Sequence, residues 1–143
     1  MADYKCGSHA VYDIKYHFVW VTKYRYHVLT GEIAERAREI IRQCCLIRDI
    51  TIVKGSVGKD HIHILISCPP TLAPSKIIQY LKGRSSRMLQ MEYSQLKKKY
   101  WGQHLWARGY FCATVGSVNE ETVKQYIAGQ QVEGDIVFEI KDE

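Results

Sequence analysis

The chain lacks the marks of several protein classes. None of its five cysteines, Cys6, Cys44, Cys45, Cys68 and Cys112, forms a C-x-x-C pair. An odd count with that spacing argues against a disulfide framework and against a thiolate zinc site. It leaves reduced, mostly buried thiols, as in a cytosolic protein. No apolar run is long enough to span a bilayer. Met1 to Gly7 carry Asp and Lys without an apolar stretch, so no secretory signal is read there and a soluble, cytoplasmic protein is expected. Repeats, low-complexity segments and long linkers are missing too. Proline is scarce, and Pro69, Pro70 and Pro74 fall together, where they break the chain ahead of a helix.

What is present is enough apolar material for a core: 46% of 143 residues are hydrophobic. That excludes a disordered chain and suits one domain without disulfide staples. The net charge is +5, from 20 Lys and Arg against 15 Asp and Glu. Such a surplus is compatible with a polyanionic partner but does not by itself require one.

Hydrophobic periodicity gives the elements. Tyr12, Ile14, Tyr16, Phe18 and Trp20 alternate as one face of a strand over Tyr12 to Thr22. A basic turn follows, Lys23-Tyr24-Arg25-Tyr26-His27. Thr30 reads as an N-cap, and Ile33, Ala37, Ile40, Ile41 and Cys44 make the stripe of a helix running to about Ile47. Asp49 to Val57 and His61 to Ser67 are two β-rich runs joined by Gly58-Lys59-Asp60, a hairpin signal. A second helix buries Ile77, Ile78, Leu81, Ser85, Met88 and Leu89. Lys97 to Lys99 reads as a solvated loop, and a fourth strand as Trp106 to Val115. Ser117 to Glu120 has capping-box spacing, ahead of a last helix from about Asn119 to Gln130. Asp135 to Ile140 offers a short edge strand.

The order strand, helix, strand, strand, helix, strand is the split βαβ pattern. The fold class is therefore α+β, ferredoxin-like, with helices on one face of an antiparallel sheet and an added C-terminal helix. One domain over 1–143 is expected: a core over about 12–115, the last helix over about 117–131 and a tail over 132–143. The sheet's other face is left to meet a ligand, as in many single-strand nucleic-acid binders.

Two places carry chemistry. His61 and His63 stand two apart in a strand, so both rings share a face while Ile62, Ile64 and Ile66 point the other way. Two neutral imidazoles about 7 Å apart along a strand can converge on a divalent metal. A pair of histidines on a solvated or subunit-facing strand surface gives the same pattern, and two ligands alone rarely hold a metal. In the last helix Tyr126 and Gln130 are four apart and share a face, whereas Gln131 does not. A phenol beside an amide oxygen offers a nucleophile and a ligand together, but free phenol ionises only near pH ~10 and needs activation. Val123, Tyr126 and Ile127 also make an ordinary apolar stripe. Spacing does not choose Tyr126 from ten tyrosines; Tyr80 too sits on a helix, four before Arg84.

The combination resembles the single-tyrosine HUH transposases of the insertion-sequence-200-like (TnpA, REP-associated) family. His61-Ile62-His63 is similar to the HUH motif, and Val123 to Gln130 to the tyrosine motif. Val19 to Arg25, Leu81 to Arg87 and Leu105 to Phe111 also look like the family, so the likeness runs from about Tyr12 to Gln131.

The resemblance implies a DNA transposase that cleaves and rejoins single strands at insertion-sequence ends. Tyr126 would become linked to the 5′ end, leaving a free 3′-OH, and a second 3′-OH would displace it without ATP. His61, His63 and Gln130 would hold Mg²⁺ or Mn²⁺; imidazole ligands favour manganese, and cellular supply favours magnesium. Family members are homodimers that bind imperfect hairpins, often with the tyrosine helix completing the partner's site in trans. Lys23, Tyr24, Arg25, Lys82, Arg84, Arg87 and Trp106 are candidate DNA contacts, by phosphate pairing and stacking. A reading from another class remains beside it: a non-catalytic single-stranded nucleic-acid (hairpin) binding protein of the same fold, which would leave the histidine pair idle. Longer HUH nickases, such as relaxases and replication initiators, carry further domains that 143 residues do not hold.

Overall fold

A computed structural model of the chain describes residues 4–7, 9–129 and 136–138, the last three by their backbone. The elements in order are β1 (Lys5–Cys6), β2 (Val11–Tyr12), β3 (Lys15–Val21), a 3₁₀ turn over Lys23–Arg25, α1 (Gly31–Ile47), β4 (Thr51–Gly58), β5 (His61–Ser67), α2 (Pro74–Glu92), α3 (Ser94–Lys99), β6 (Phe111–Val115), α4 (Glu120–Gly129) and β7 (Ile136–Phe138). The main sheet has the order β6-β3-β5-β4-β7, and every pairing is antiparallel. The first four of those strands have the ferredoxin-like arrangement, with β7 added beside β4.

The apolar stripes explain the layers. Phe18 and Trp20 of β3, with Ile62, Ile64 and Ile66 of β5, are buried against Ile33, Ala37, Ile40 and Ile41 of α1 and Ile77, Ile78 and Leu81 of α2. Fully burying a side chain of this size stabilises the fold by about 1.5–3 kcal/mol, so this layer holds the domain together. The opposite face of the sheet is not wholly open. There α4 packs Ile127 and Val123 onto Leu65, Val115 and Val53. No described helix is long and apolar enough to cross a membrane.

Several element boundaries differ from the sequence reading. The first strand begins at Lys15, because Val11–Tyr12 pairs instead with Lys5–Cys6 in a separate two-stranded ribbon. The fourth strand begins at Phe111; Trp106 makes only an isolated bridge to Thr22, and Gly109, at φ +88°, turns the chain between them. Lys97 to Lys99 are the last turn of α3 rather than loop, a favourable place for cations at a helix C-terminus. Thr30 is extended at the start of α1, but its side chain makes no capping bond. The Ser117 capping box does not form: α4 starts at Glu120, and Asn119 Oδ1 accepts from the Gly116 amide. Of the expected tail strand, Ile136–Phe138 forms β7, and residues 135, 139 and 140 lie outside the described residues.

Candidate active site and nucleic-acid groove

The register of the sheet gathers the polar residues of its second face. Val21 is opposite His61, Val19 opposite His63, His17 opposite Leu65, and Lys15 opposite Ser67. On the other side of β5, Gly58 is opposite His61 and Ser56 opposite His63. One face therefore carries Lys15, His17, His61 and His63, between the smaller neighbours Val19, Val21, Ser56 and Gly58.

The two predicted imidazoles come together. The His61 and His63 ring centroids are 4.8 Å apart, at 79° to one another. His61 is half-buried and lies directly over Gly58, where an added Cβ would stand 2.4 Å from Cε1 of the ring. His61 Nδ1 is 2.8 Å from Asp60 Oδ1. Burial works against the Asp60 carboxylate, but hydrogen bonds from His61 and Arg25 outweigh it and hold its pKa below the usual range. An ionised carboxylate only accepts, so Nδ1 of His61 donates, and in the neutral ring Nε2 is then the nitrogen that carries the lone pair. Arg25 Nε donates to the other Asp60 oxygen at 2.9 Å. The Lys59-Asp60 turn is itself held by backbone bonds, from the Thr22 amide to Asp60 and from the Leu29 amide to Lys59.

His63 is buried, and its Nδ1 has no protein partner. Burial, then repulsion from His61 and His17 in their protonated forms, pushes its pKa down to about 4, so the ring is neutral near pH 7. His17 was missed by the sequence reading. It stacks on His63 with centroids 5.8 Å apart and 27° between planes. It too is buried, which lowers its pKa, and its Nε2 is without a partner. The missed signal lies in the alternation itself: His17 occupies the β3 face opposite to Phe18 and Trp20, the face His61 and His63 occupy on β5.

Tyr126 joins this group from α4. Its ring is 6.0 Å from His63 and 6.1 Å from His17, and it is about half exposed. These residues line a cleft of about 630 Å³ with Arg25, Phe111 and Thr122. The helix is fixed in part by an ion pair. Lys15, buried on the sheet, bonds Asp13 and reaches Glu120 Oε1 at 3.1 Å, at the first turn of α4. Burial pulls the Lys15 pKa down, and the bonds to Asp13 and Glu120 more than reverse it, leaving it raised. Gln130, the expected third ligand, lies outside the described residues. Among the described residues no three His, Cys, Asp or Glu side chains are grouped to hold an ion.

The candidate DNA contacts divide. Lys23 and Arg87 line a second groove of about 810 Å³, with Lys97, His104 and Arg108, which the sequence reading did not select. Arg25 belongs to the histidine cleft instead. Tyr24 is exposed at φ 64° and Arg25 has φ 55°, two consecutive residues in the left-handed region. That conformation costs about 1–2 kcal/mol per non-glycine residue, and the bond from Thr22 Oγ1 to the Tyr26 carbonyl holds the turn in place. Lys82 lines the groove, but its ammonium donates to the carbonyls of Ala107 at 2.9 Å and Gly109 at 2.8 Å. Arg84 is exposed and lies on neither the groove nor the cleft wall. Trp106 is 5% exposed; its indole N–H donates to Ser85 Oγ and its ring packs edge-on to Trp20. Buried in this way, it is not a free stacking surface. Trp101, 87% exposed beside the groove residues Gly102 and Gln103, is one.

Comparison with known proteins agrees with this architecture. The model of the IS200-like transposase family matches residues 10–130. The ISDra2 transposase TnpA of Deinococcus radiodurans is 36% identical over 126 residues, covering 88% of this chain and 90% of the relative. The transposase for insertion sequence element IS200 of Salmonella typhimurium is 37% identical over 130 residues, covering 91% of this chain and 85% of the relative. A crystal structure of a candidate transposase from Deinococcus radiodurans R1 superposes with a TM-score of 0.73 at 32% identity, covering 90% of this chain and 98% of that one. A REP-associated tyrosine transposase bound to a REP hairpin has the same fold, with a TM-score of 0.60 at 15% identity over 89% of this chain and 70% of that one. The split βαβ sheet, its added helix and these likenesses along nearly the whole chain lead to one conclusion: the chain belongs to the IS200-like transposase family.

Proposed function

We propose that the chain transposes DNA by cutting and rejoining single strands at the ends of an insertion sequence, with Tyr126 as the nucleophile. The observation that carries the reading is the convergence of Tyr126, from α4, on the imidazoles of β5: its ring lies 6.0 Å from His63, within one cleft with His61. The Tyr126 oxygen attacks the scissile phosphate, loses its proton to solvent and forms a 5′-phosphotyrosine, while the 3′ oxygen leaves and is protonated. The linkage remains a phosphodiester, so a second 3′-OH can reverse the step and join a new end without ATP.

The donors fit a divalent cation. His63 is neutral near pH 7, and its Nδ1 is without a protein partner. His61 keeps Nε2 free because Asp60 takes its N–H, the usual arrangement for a ligating histidine. His61 and His63 would hold Mg²⁺ or Mn²⁺ with Gln130, which follows directly on α4. A bound ion would polarise the phosphate oxygens and steady the charge that develops in the transition state. Asp60 positions His61, and Arg25 holds Asp60 in turn.

The substrate is single-stranded DNA folded into imperfect hairpins at the element ends. Lys23, Arg87, Lys97 and Arg108 supply phosphate contacts along the larger groove, and Tyr24 and Trp101 supply stacking surfaces. Lys82 holds the 107–109 loop rather than the DNA, and Trp106 belongs to the core. The working unit is a homodimer.

The test is a labelled single strand carrying the hairpin and element end, incubated with manganese and run on a denaturing gel. A covalent protein–DNA adduct is expected, absent in Tyr126→Phe and after chelation of the metal. His61→Ala and His63→Ala should abolish the adduct and retain hairpin binding. Binding without any adduct would instead show a hairpin-binding protein with no strand chemistry.

A further inference from the structure

We infer that His17 is a third working imidazole of this site, whose Nε2 hydrogen-bonds a phosphodiester oxygen of the strand that Tyr126 attacks. The inference rests on the reading of Tyr126 given above.

His17 is held on β3 opposite Leu65 of β5 and Ala113 of β6, on the face that carries His61 and His63. Its ring sits in a cage: stacked on His63, edge-on to Tyr126 at 6.1 Å and edge-on to Phe111 at 5.5 Å. Packing alone does not account for an imidazole there. Nε2 is buried without a partner, and leaving a buried polar group unsatisfied destabilises the fold. A phenylalanine would keep every ring contact without that cost. A buried, unpaired nitrogen in a substrate cleft has a reason if its partner arrives with the substrate.

The surroundings indicate which partner. No triad of His, Cys, Asp or Glu that could hold an ion exists among the described residues, so His17 does not complete a cluster with His61 and His63. The side chains that cover it on the cleft side, Phe111 and Tyr126, are both about half exposed and have room to shift as a strand enters. A phosphate under attack must come within about 3–3.5 Å of the tyrosine oxygen, which brings it to the ring that His17 touches. An imidazole N–H is a suitable donor to a non-bridging phosphate oxygen. No proton is transferred in this contact.

His17→Phe and His17→Gln in the full chain separate this from a packing role. His17→Phe should melt at or above the wild-type temperature and keep most of its affinity for the hairpin strand, which the groove cations supply. Its adduct formation should fall by about a hundredfold, the low side of what loss of one transition-state donor costs. His17→Gln, which can place an amide N–H near the same point, should recover part of the rate. A wild-type rate in His17→Phe would overturn the proposal.

A second measurement does not depend on turnover. In Tyr126→Phe, without metal and well above the ordinary histidine pH range, the imidazole ¹⁵N spectrum is followed as a single strand carrying the hairpin and element end is added. The Nε2 resonance missing from a Tyr126→Phe/His17→Phe double variant should move on binding; an unmoved resonance overturns the contact. If the resonance moves but wild type forms no adduct, the reading of Tyr126 fails and the His17 contact stands. If the adduct forms and the resonance stays, the His17 inference alone fails.

Discussion

Gly58 shows how little space the site allows a single residue. It faces His61 across the β4–β5 hairpin, and a methyl there would meet three atoms of the imidazole at 2.4, 2.7 and 2.9 Å. Gly58→Ala must push the ring away from Asp60 or spread the two strands. Overpacking of this kind costs about 1–3 kcal/mol. The melting temperature should fall modestly and metal-dependent cleavage should fall much further, because the His61–Asp60 bond is what orients the ring. A variant that loses stability and cleavage in equal proportion would show that the glycine serves the strand pairing alone. At this scale the sequence was informative about identity and silent about surroundings. Alternation places His61 and His63 on one face, but nothing in the spacing says that His63 would be buried, or that His17 would stack on it from the neighbouring strand.

The element that matters most to the site is α4, which carries Tyr126 and is anchored at two places. Ile127 packs with Leu65 and Val115, and Glu120 meets the buried Lys15. Removing one partner of a buried ion pair costs about 3–5 kcal/mol, the lower end applying here because Glu120 is partly exposed. Lys15→Met should therefore loosen α4. Amide exchange should speed up in residues 120–129, cleavage should drop, and the α1/α2 layer should keep its protection. Uniform loss of protection would mean that the pair supports the whole sheet. The raised pKa of Lys15 fixes the sign of its pH dependence. A group whose folded pKa lies above its unfolded value contributes fully below that unfolded value and loses the contribution as pH rises through the folded one. The Lys15 contribution to α4 docking should thus persist up to the ordinary lysine value of 10.5 and disappear at still more alkaline pH. The sequence reading placed this helix to within a few residues, yet it left the second sheet face free. Ile127 was visible as part of a stripe; that its partners would be Leu65 and Val115, on the face of the histidines, was not.

Across the whole molecule, the surplus of +5 is not spread evenly in function. The larger groove gathers Lys23, Lys82, Arg87, Lys97 and Arg108 from distant parts of the chain. Each phosphate contact adds roughly one to the slope of log affinity against log salt for a duplex stem, and somewhat less for a single strand. Arg87→Ala should weaken hairpin binding and reduce that slope by about one. Lys82→Met should leave the slope nearly unchanged, because its ammonium already donates to Ala107 and Gly109, while weakening affinity through a looser loop. Fluorescence anisotropy over a salt series reads both, and an equal fall in slope would show Lys82 reaching the DNA.

The sequence by itself determined the strand and helix periods, hence the split βαβ order, the core of Phe18, Trp20, Ile62 and Ile64, and the shared face of His61 and His63. Those follow from local geometry, in which side chains alternate along a strand and recur every 3.6 residues in a helix. Only the tertiary structure decided which residues far apart in the chain would meet: His17 with His63, Lys15 with Glu120, Lys82 with the carbonyls of its loop, Trp106 with Ser85. Such pairings depend on strand register and on how helices dock, and residues such as Lys82 and Trp106 have the same composition signal whether they face DNA or the protein's own interior.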